Sequence, residues 1–318
     1  MHSPIATRPA CDVSVVAPAY NEAANLPELI ERTVAAVRPL GSFEIIIVDD
    51  GSTDGSWPVI QAAARAHDEV VGIRLQRNFG QHPAVSAGFA AASGAVVVTI
   101  DSDLQNPPEE IPALVARLGP DCDVASGWRQ QRQDGVLRTL PSRFVNWAIA
   151  RMTGVRLHDY GCMLRAYKRA IVEQLQACPE MNKATTALSS WLGAQVVEVP
   201  IKHSRRSAGR SRYSFWRLVK MNFDILTGFS TNVLQVVSVS GFALSVLGLV
   251  AGVVLAVWRV LHGSGPAGQT TFLAVLTFLA GAQMLAIGTV GEYVARIFTQ
   301  VQGRPLFIVR ERSDDGAP

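Results

Sequence analysis

Short apolar runs alternate with longer amphipathic stretches along residues 13–127. The apolar runs predict buried β-strands, because strands covered on both faces carry few polar positions. These predicted strands lie at 13–17, 43–48, 70–75, 95–100 and 123–126. The stretches between them predict helices at 26–37, 57–65, 83–92 and 108–118. The alternation indicates an α/β domain with a mostly parallel sheet that has helices on both faces.

The pattern changes after residue 127. An amphipathic helix is predicted at 138–152, a polar loop at 158–167, another helix at 168–176 and a late strand at 196–201. Residues 214–232 then mix large apolar side chains such as Trp216 and Phe223 with Arg217 and Lys220. This mixture predicts a helix that lies in the membrane interface.

Two long stretches, 225–258 and 260–291, contain no Asp, Glu, Lys or Arg. Each exceeds the roughly 20 apolar residues that are needed to cross the hydrocarbon core of a bilayer. They predict two transmembrane helices, at about 233–257 and 272–290. The alternative is a pair of buried core helices, which their length disfavours.

Basic residues flank both predicted spans. Arg217 and Lys220 precede the first, Arg296 and Arg304 follow the second, and the connector carries only Arg259. The positive-inside rule therefore predicts that both flanks are cytoplasmic. Residues 1–12 lack an apolar segment of signal-peptide length, so we expect the first domain to stay in the cytoplasm. The predicted organisation is a tail (1–12), a domain (13–213), an interfacial region (214–232), two spans (233–294) and a cytoplasmic tail (295–318).

Composition agrees with a membrane-anchored domain. The 318 residues are 48% hydrophobic, and the mean hydropathy of +0.20 is high for a soluble enzyme and low for a polytopic transporter. The net charge of +3 is mild, and no basic surface with interleaved aromatic residues precedes Arg205, which disfavours nucleic acid binding. The four cysteines are far apart and include no CxxC pair, as expected for reduced thiols in a reducing compartment.

Acidic residues follow two of the predicted strands. Asp49 and Asp50 end the second strand, and Asp101 and Asp103 follow the fourth. Parallel strands bring their carboxyl ends to one edge, where open α/β sheets bind ligands. Two carboxylates one residue apart can hold a divalent cation that also binds a diphosphate. Asp49 or Asp50 can accept a hydrogen bond from a ribose hydroxyl or a base N–H.

Each of these motifs also has a purely structural interpretation. A lone Asp-x-Asp is usually a solvated turn, and Asp-Asp-Gly-Ser suits a turn or helix cap. Asn25 followed by Glu28 predicts a capping box at the first helix. The chain has neither GxGxxG after the first strand nor GxxxxGK[ST], which disfavours a Rossmann dehydrogenase and a P-loop NTPase.

A basic loop precedes the first predicted span. Its arginines either set topology and contact lipid headgroups, or bind a phosphate at the membrane surface. Arg206 and Arg212 are the candidates, and Ser211 in the same loop adds a hydroxyl donor. The lone histidines, among them His82 and His158, have no ligand spacing and are read as structural.

Several motifs together resemble those of family 2 glycosyltransferases, which have the GT-A fold. They are Pro18-Ala19-Tyr20-Asn21-Glu22, Val48-Asp49-Asp50-Gly51-Ser52, Arg77-Asn78-Phe79-Gly80-Gln81-His82 and Asp101-Ser102-Asp103-Leu104-Gln105-Asn106-Pro107-Pro108. With the two predicted spans, the chain resembles the polyprenyl-phosphate glycosyltransferases of that family. Residues 104–112, 132–134, 159–167 and 291–297 are similar to the branch that transfers 4-deoxy-4-formamido-L-arabinose in lipid A modification.

The resemblance implies a role for each matching residue. Pro18, Tyr20, Glu22 and Asp50, together with Asp49, would bind the nucleotide sugar. Asp101 and Asp103 would bind Mg²⁺ or Mn²⁺ and the diphosphate, with Asp103 and Asp159 as the catalytic residues. Arg206, Ser211 and Arg212 would bind the acceptor phosphate.

The resemblance also implies a reaction and its setting. The donor would be a UDP-sugar, with UDP-4-deoxy-4-formamido-L-arabinose the best match, and the acceptor undecaprenyl or another polyprenyl phosphate. The product would serve lipid A or another envelope glycan at the bacterial inner membrane, and a homotetramer is expected. We expect inversion by direct displacement, with Asp159 orienting the substrates, because an anionic phosphate acceptor needs no strong base.

Two departures and two alternatives remain. Residues 179–188 differ from the sequence expected near the sugar, and Arg212 replaces the usual Lys, which changes the donor geometry. A polyprenyl-phosphate glucosyl- or mannosyltransferase would have the same diphosphate site. An inactive membrane scaffold that binds the lipid carrier is the alternative outside the enzymes, although it would have no physical need for clustered carboxylates.

Overall fold

A computed structural model describes most of the chain outside its central region. The described residues are 10–129, 158–159, 161–178, 189, 192–202, seven isolated positions between 241 and 261, and 268–314. The helix predicted at 138–152, the interfacial region, most of the first predicted span and the basic loop with Arg206, Ser211 and Arg212 lie outside them.

The chain divides into two compact units. The first comprises Met1–Lys220 together with Pro305–Pro318, and the second comprises Met221–Arg304. The C-terminal residues therefore belong to the same unit as the N-terminal domain.

The first unit is an α/β domain. Its described strands are β1 (Val13–Ala19), β2 (Phe43–Asp49), β3 (Val70–Leu75), β4 (Val96–Thr99), β5 (Val124–Arg129), β6 (Arg165–Lys168), β7 (Val196–Ile201) and β8 (Val309–Arg312). Its described α-helices are α1 (Leu26–Val37), α2 (Ser56–Ala66), α3 (Gln81–Ala91), α4 (Ile111–Arg117) and α5 (Arg169–Ala177). Short 3-10 helices cover Arg38–Leu40 and Pro108–Glu110.

The described strands form one mixed sheet in the order β7-β5-β6-β4-β1-β2-β3-β8. The β1, β2, β3 and β4 pairings are parallel, and so is the β5–β7 pairing. The strands β6 and β8 run antiparallel to their neighbours. The carboxyl ends of β1 to β5 therefore share one edge of the sheet, and β6 begins at that edge.

Burial explains why the apolar runs form the centre of this sheet. Every residue of β1 is buried, and so are the last six residues of β2. Helix α3 is also buried along most of its length, because small residues let it pack closely on β1. A Cβ atom at Gly88 would overlap Val16 of β1, so this contact requires glycine.

Three features differ from the sequence-based predictions. The end of the loop predicted at 158–167 forms the antiparallel strand β6, and the predicted cytoplasmic tail contributes β8 to the sheet edge. The capping box is wrong: Asn25 makes no side-chain cap hydrogen bond to α1. Its Nδ2 instead donates to Glu22 Oε2 at 2.5 Å, and Glu28 pairs with Arg32 at 2.7 Å.

The second unit contains α6 (Gly268–Val301), which includes the second predicted span. Apolar side chains of α6 are exposed, among them Phe272, Met284 and Phe298. Within the described residues, one window, Phe278–Ala295, is long and apolar enough to cross a membrane. Length and composition alone support this candidate, and the two predicted spans remain a prediction.

Candidate active site at the carboxyl edge of the sheet

The motifs that follow β1 and β2 meet at the sheet edge. The amide of Asp50 donates to the carbonyl oxygen of Ala19 at 2.8 Å, which joins the ends of the two strands. Pro18 lies within β1 opposite Val48 of β2, and Tyr20 follows β1 with an exposed side chain. The sequence motifs 18–22 and 48–52 are therefore adjacent in space.

Asp50 is buried and binds the loop after β3. Its two carboxylate oxygens accept the backbone N–H groups of Phe79 and Gly80 at 2.7 and 2.8 Å. Burial raises the pKa of Asp50 to about 6, although these two hydrogen bonds favour the charged form. One carboxylate thus connects the end of β2 to the motif 77–82.

Asp49 is fully buried at the end of β2. Its Oδ1 accepts the backbone N–H of Ser52 at 2.9 Å. Its Oδ2 has no hydrogen-bond partner among the described residues, although Arg74 Nε lies at 3.5 Å, within ion-pair distance. Asp49 therefore shapes the turn after β2 and depends on Arg74 for charge compensation.

Hydrogen bonds cross-link the first motif to that turn. Asn21 has a positive φ of 56°, a conformation that Asn tolerates better than most residues. Its amide donates to Ser52 Oγ at 2.9 Å, and its Oδ1 accepts from the amide of Thr53 at 2.8 Å. The amide of Glu22 donates to Ser56 Oγ at 3.0 Å. These bonds set the shape of the predicted nucleotide-binding segment.

Asp101 and Asp103 follow β4 at the same edge. Asp101 accepts hydrogen bonds from Gln81 Nε2 at 2.7 Å and Asn106 Nδ2 at 3.4 Å. Burial and, to a smaller extent, the charge of Asp103 together raise the pKa of Asp101 to about 7, although the charge of Arg129 opposes the rise. Leu104 in this turn has a positive φ of 59° and is buried, so the turn is a strained, well-anchored segment.

This carboxylate pair suits a divalent cation. A hard cation prefers carboxylate oxygens, and its charge would relieve the repulsion that raises the pKa of Asp101. No group of three or more His, Cys, Asp or Glu side chains forms a metal cage in the described parts of the chain. Two carboxylate ligands would leave coordination positions of such a cation open to substrate and water.

Asp159 forms a buried ion pair with Arg129, the last residue of β5. Arg129 Nε and one terminal nitrogen contact the two carboxylate oxygens at 2.6 and 2.9 Å. Glu198 of β7 holds the loop by accepting the amides of His158 and Asp159 at 2.7 and 3.0 Å. Asp159 was predicted from the sequence and Arg129 was not, although an Arg three residues after the strand predicted at 123–126 is a detectable signal.

His82, in the first turn of α3, is neutral at pH 7. Burial, followed by the positive charge of Arg165, lowers the pKa of His82 to about 4. Its Nδ1 is buried and has no hydrogen-bond partner in the described residues. Arg165 is itself buried and donates to Ser126 Oγ at 3.2 Å. The uncharged form fits the structural interpretation of His82.

Comparison with known proteins identifies the family. Residues 14–176 match Glycosyl transferase family 2. The chain belongs to this family. It is similar to the undecaprenyl-phosphate 4-deoxy-4-formamido-L-arabinose transferase of Pseudomonas paraeruginosa, with 46% identity over 96% of this chain and 91% of that protein. The protein of the same name from Pseudomonas fluorescens is 44% identical over 96% of this chain and 92% of its own length.

A solved structure supports the fold. The glucosyl-3-phosphoglycerate synthase of Mycobacterium tuberculosis, crystallised with phosphoglyceric acid, aligns with a TM-score of 0.51 and 23% identity. The alignment covers 71% of this chain and 86% of that one. The GT-A fold expected from the sequence motifs is confirmed, and the chain is a glycosyltransferase.

Proposed function

We propose that this glycosyltransferase moves a sugar from a UDP-sugar to a polyprenyl phosphate at the cytoplasmic face of the bacterial inner membrane. The observation that carries the proposal is the meeting of Asp50, Asp101 and the Arg129–Asp159 pair at one sheet edge. The names of the similar Pseudomonas proteins make undecaprenyl phosphate the proposed acceptor and UDP-4-deoxy-4-formamido-L-arabinose the proposed donor. The product would supply lipid A modification.

The donor would bind along the edge formed by β1, β2 and β4. Pro18, Tyr20, Glu22 and the turn at Asp49 and Asp50 are proposed to contact the uridine. The two carboxylates at the end of β2 offer acceptors for the ribose hydroxyls and the base N–H. Their hydrogen bonds to backbone amides keep the site in one shape before the donor arrives, which reduces the entropy lost on binding.

Asp101 and Asp103 are the proposed ligands of Mg²⁺ or Mn²⁺. The bound cation would act as a Lewis acid that neutralises the charge on the departing nucleotide diphosphate. Gln81 and Asn106 orient the Asp101 carboxylate through their side-chain amides. The protein would thus orient the Asp101 carboxylate, and the cation would compensate its charge.

The proposed chemistry is a direct displacement with inversion. The acceptor phosphate is already anionic at neutral pH, so positioning and charge stabilisation are the main requirements. Asp159 is buried and uses both oxygens to bind Arg129, which suits an orienting role better than proton abstraction. Its proposed task is to hold Arg129 beside the reacting groups.

The membrane placement is part of the proposal. Exposed apolar side chains of α6 suit contact with lipid, and the window Phe278–Ala295 suits a span. A second span at 233–257, the interfacial region and a homotetramer are also proposed. Arg206, Ser211 and Arg212 would bind the phosphate of the lipid near the membrane surface.

A donor screen tests the reaction. Purified full-length protein would be incubated with polyprenyl phosphate, Mg²⁺ or Mn²⁺ and a panel of nucleotide sugars, with lipid products identified by mass spectrometry. The formamido-arabinosyl lipid is the expected product, whereas a glucosyl or mannosyl lipid would identify the alternative hexosyltransferase. Binding of a uridine nucleotide without transfer of any sugar would favour the scaffold interpretation.

Asp103→Ala tests the cation assignment. We expect the variant to lose transfer, because one of two protein ligands disappears. Asp121→Ala is the matched control, since Asp121 is exposed on the segment before β5, away from the carboxyl edge. Near wild-type transfer by Asp103→Ala in Mg²⁺ or Mn²⁺ would contradict the assignment.

A further inference from the structure

Three charged residues lie side by side across β2, β3 and β8. Asp49 pairs with Arg74 in the β2–β3 register, and Arg74 pairs with Glu311 in the β3–β8 register. Paired residues of neighbouring strands lie on the same face of a sheet. The C-terminal strand therefore brings a carboxylate to a face that also carries the buried carboxylate of Asp49.

Arg74 contacts both carboxylates. Its Nε lies 3.5 Å from Asp49 Oδ2, and one terminal nitrogen donates to Glu311 Oε1 at 2.9 Å. The same guanidinium lies 5.8 Å from the ring centre of Trp57. Asp49 is fully buried, so its charge needs a nearby cation to be tolerated. Arg74 is long and partly exposed, so the ion pair with Glu311 restricts its guanidinium to a position within reach of Asp49.

Asp49 in turn shapes the turn that joins the first two motifs. Its Oδ1 accepts the amide of Ser52 at 2.9 Å, and Ser52 Oγ accepts the amide of Asn21 at 2.9 Å. Glu311 is thus connected to the segment after β1 by the Arg74 ion pair with Asp49 at 3.5 Å and by hydrogen bonds on either side of it. The position and charge of Asp49 therefore bear directly on the predicted uridine subsite.

We propose that Glu311 is a positioning residue for donor binding, acting through Arg74 on Asp49. This proposal rests on the proposed function, because it assumes that the edge at Asp49 and Asp50 binds the nucleotide. The C-terminal strand would then support the donor site from outside it, because Glu311 itself would not contact the nucleotide.

The strand has other attachments that survive a change at Glu311. Ser313 exchanges two hydrogen bonds with the backbone of Gly72, at 2.8 and 2.9 Å. The amide of Gln76 donates to the carbonyl oxygen of Ile308 at 2.9 Å. Glu311→Gln therefore removes the charge that holds Arg74 and leaves β8 paired with β3.

The first test compares Glu311→Gln with Asp314→Asn in the full-length enzyme. Asp314 is a matched control, because it pairs with Arg312 on the same segment at 2.8 Å. We expect Glu311→Gln to raise the donor KM about twofold to fivefold, as for a partly exposed ion pair, with kcat unchanged. Asp314→Asn should leave the donor KM unchanged. Equal donor KM values for the two variants would overturn the proposal.

The second test is a double-mutant cycle on UDP binding, measured by calorimetry. Arg74→Met should weaken binding at least tenfold, because it leaves a buried charge uncompensated. In the Asp49→Asn background the same substitution should have a much smaller effect, since no charge remains to compensate. An equal effect in both backgrounds would overturn the proposal. A wild-type protein that binds no UDP would instead refute the proposed function, so the two failures are distinguishable.

Discussion

In the metal-free protein, ionisation of Asp101 lowers the free energy of unfolding. Its carboxylate is partly shielded from solvent and lies close enough to Asp103 for the charge of Asp103 to raise its pKa. Asp101→Asn removes the charge and keeps the size of the side chain. We therefore expect the variant to be more stable than the wild type at pH 8 without a divalent cation, while it loses sugar transfer.

The magnitude follows from the pKa. A rise from the ordinary value of 3.8 to about 7 corresponds to roughly 4 kcal/mol when the group is fully ionised. Two effects reduce the gain. Asp101 is only half-buried, and the new amide would place an N–H group opposite Asn106 Nδ2, now 3.4 Å from the carboxylate. A net gain of about 2 kcal/mol remains, which raises the Tm by about 4–8 °C in a domain of this size.

The pH dependence of the stability difference follows from the direction of the pKa shift. The folded pKa of Asp101 is above the unfolded value, so its unfavourable ionisation is absent below pH 3.8 and complete above pH 7. The stability difference between variant and wild type should therefore grow as the pH rises from about 4 to above 7. Tryptophan fluorescence during heating of the detergent-solubilised protein with EDTA measures it across this range.

A substitution with the opposite sign provides the control. The pKa of Asp123 is lowered by a hydrogen bond from Lys168 and by the amide of Gln195. Asp123→Asn should therefore destabilise the protein at pH 8, and this loss should shrink as the pH falls through the acidic range. A lower Tm for Asp101→Asn at pH 8, or a difference independent of pH, would refute the reasoning about Asp101.

Two further predictions concern packing and catalysis. Gly88→Ala should destabilise the protein by about 1–2 kcal/mol, because overlap with Val16 outweighs the better helix propensity of Ala. The control Gly281→Ala in α6, where a Cβ atom meets nothing, should be neutral or slightly stabilising in the same thermal assay. Asp159→Asn should lower kcat about 100-fold by releasing Arg129, yet leave the acidic limb of the pH–rate profile in place. Loss of that limb would identify Asp159 as a general base instead.

The central sheet and its site edge could be predicted from the sequence because their signals are local. Apolar runs marked β1 to β5, and parallel strands necessarily bring Asp50 and Asp101 to one edge. The apolar pattern of the predicted strands and their parallel direction were enough for that inference. The partners of these acids were not predictable in the same way, since Gln81 and Phe79 contact them only after the loops have folded.

The parts that were missed depend on long-range pairing. The strand β8 (Val309–Arg312) is short and mostly charged, so it has no apolar pattern, and its partner β3 lies far away in sequence. The strand β6 is also short, and its antiparallel pairing with β4 and β5 is a long-range contact that no local apolar pattern indicates. Arg74 was missed for the same reason, because its meaning depends on Glu311.

The different partners of the acids indicate where a cation is needed. Asp159 is compensated by the guanidinium of Arg129, and Asp49 by that of Arg74. Asp50 has both oxygens occupied by short bonds to backbone amides. Asp101 has one short bond from Gln81, and its Oδ2 has a contact of 3.4 Å from a neutral amide.

A divalent ion would therefore gain most at Asp101 Oδ2. There it meets a carboxylate that is already costly to ionise and an oxygen with weak existing bonds. At Asp50 the same ion would have to compete with two backbone N–H groups. The affinity for Mn²⁺, measured by titration into the metal-free protein, should accordingly fall at least tenfold in Asp101→Asn. It should stay unchanged in Asp49→Asn. The reverse order would move the cation to the turn after β2.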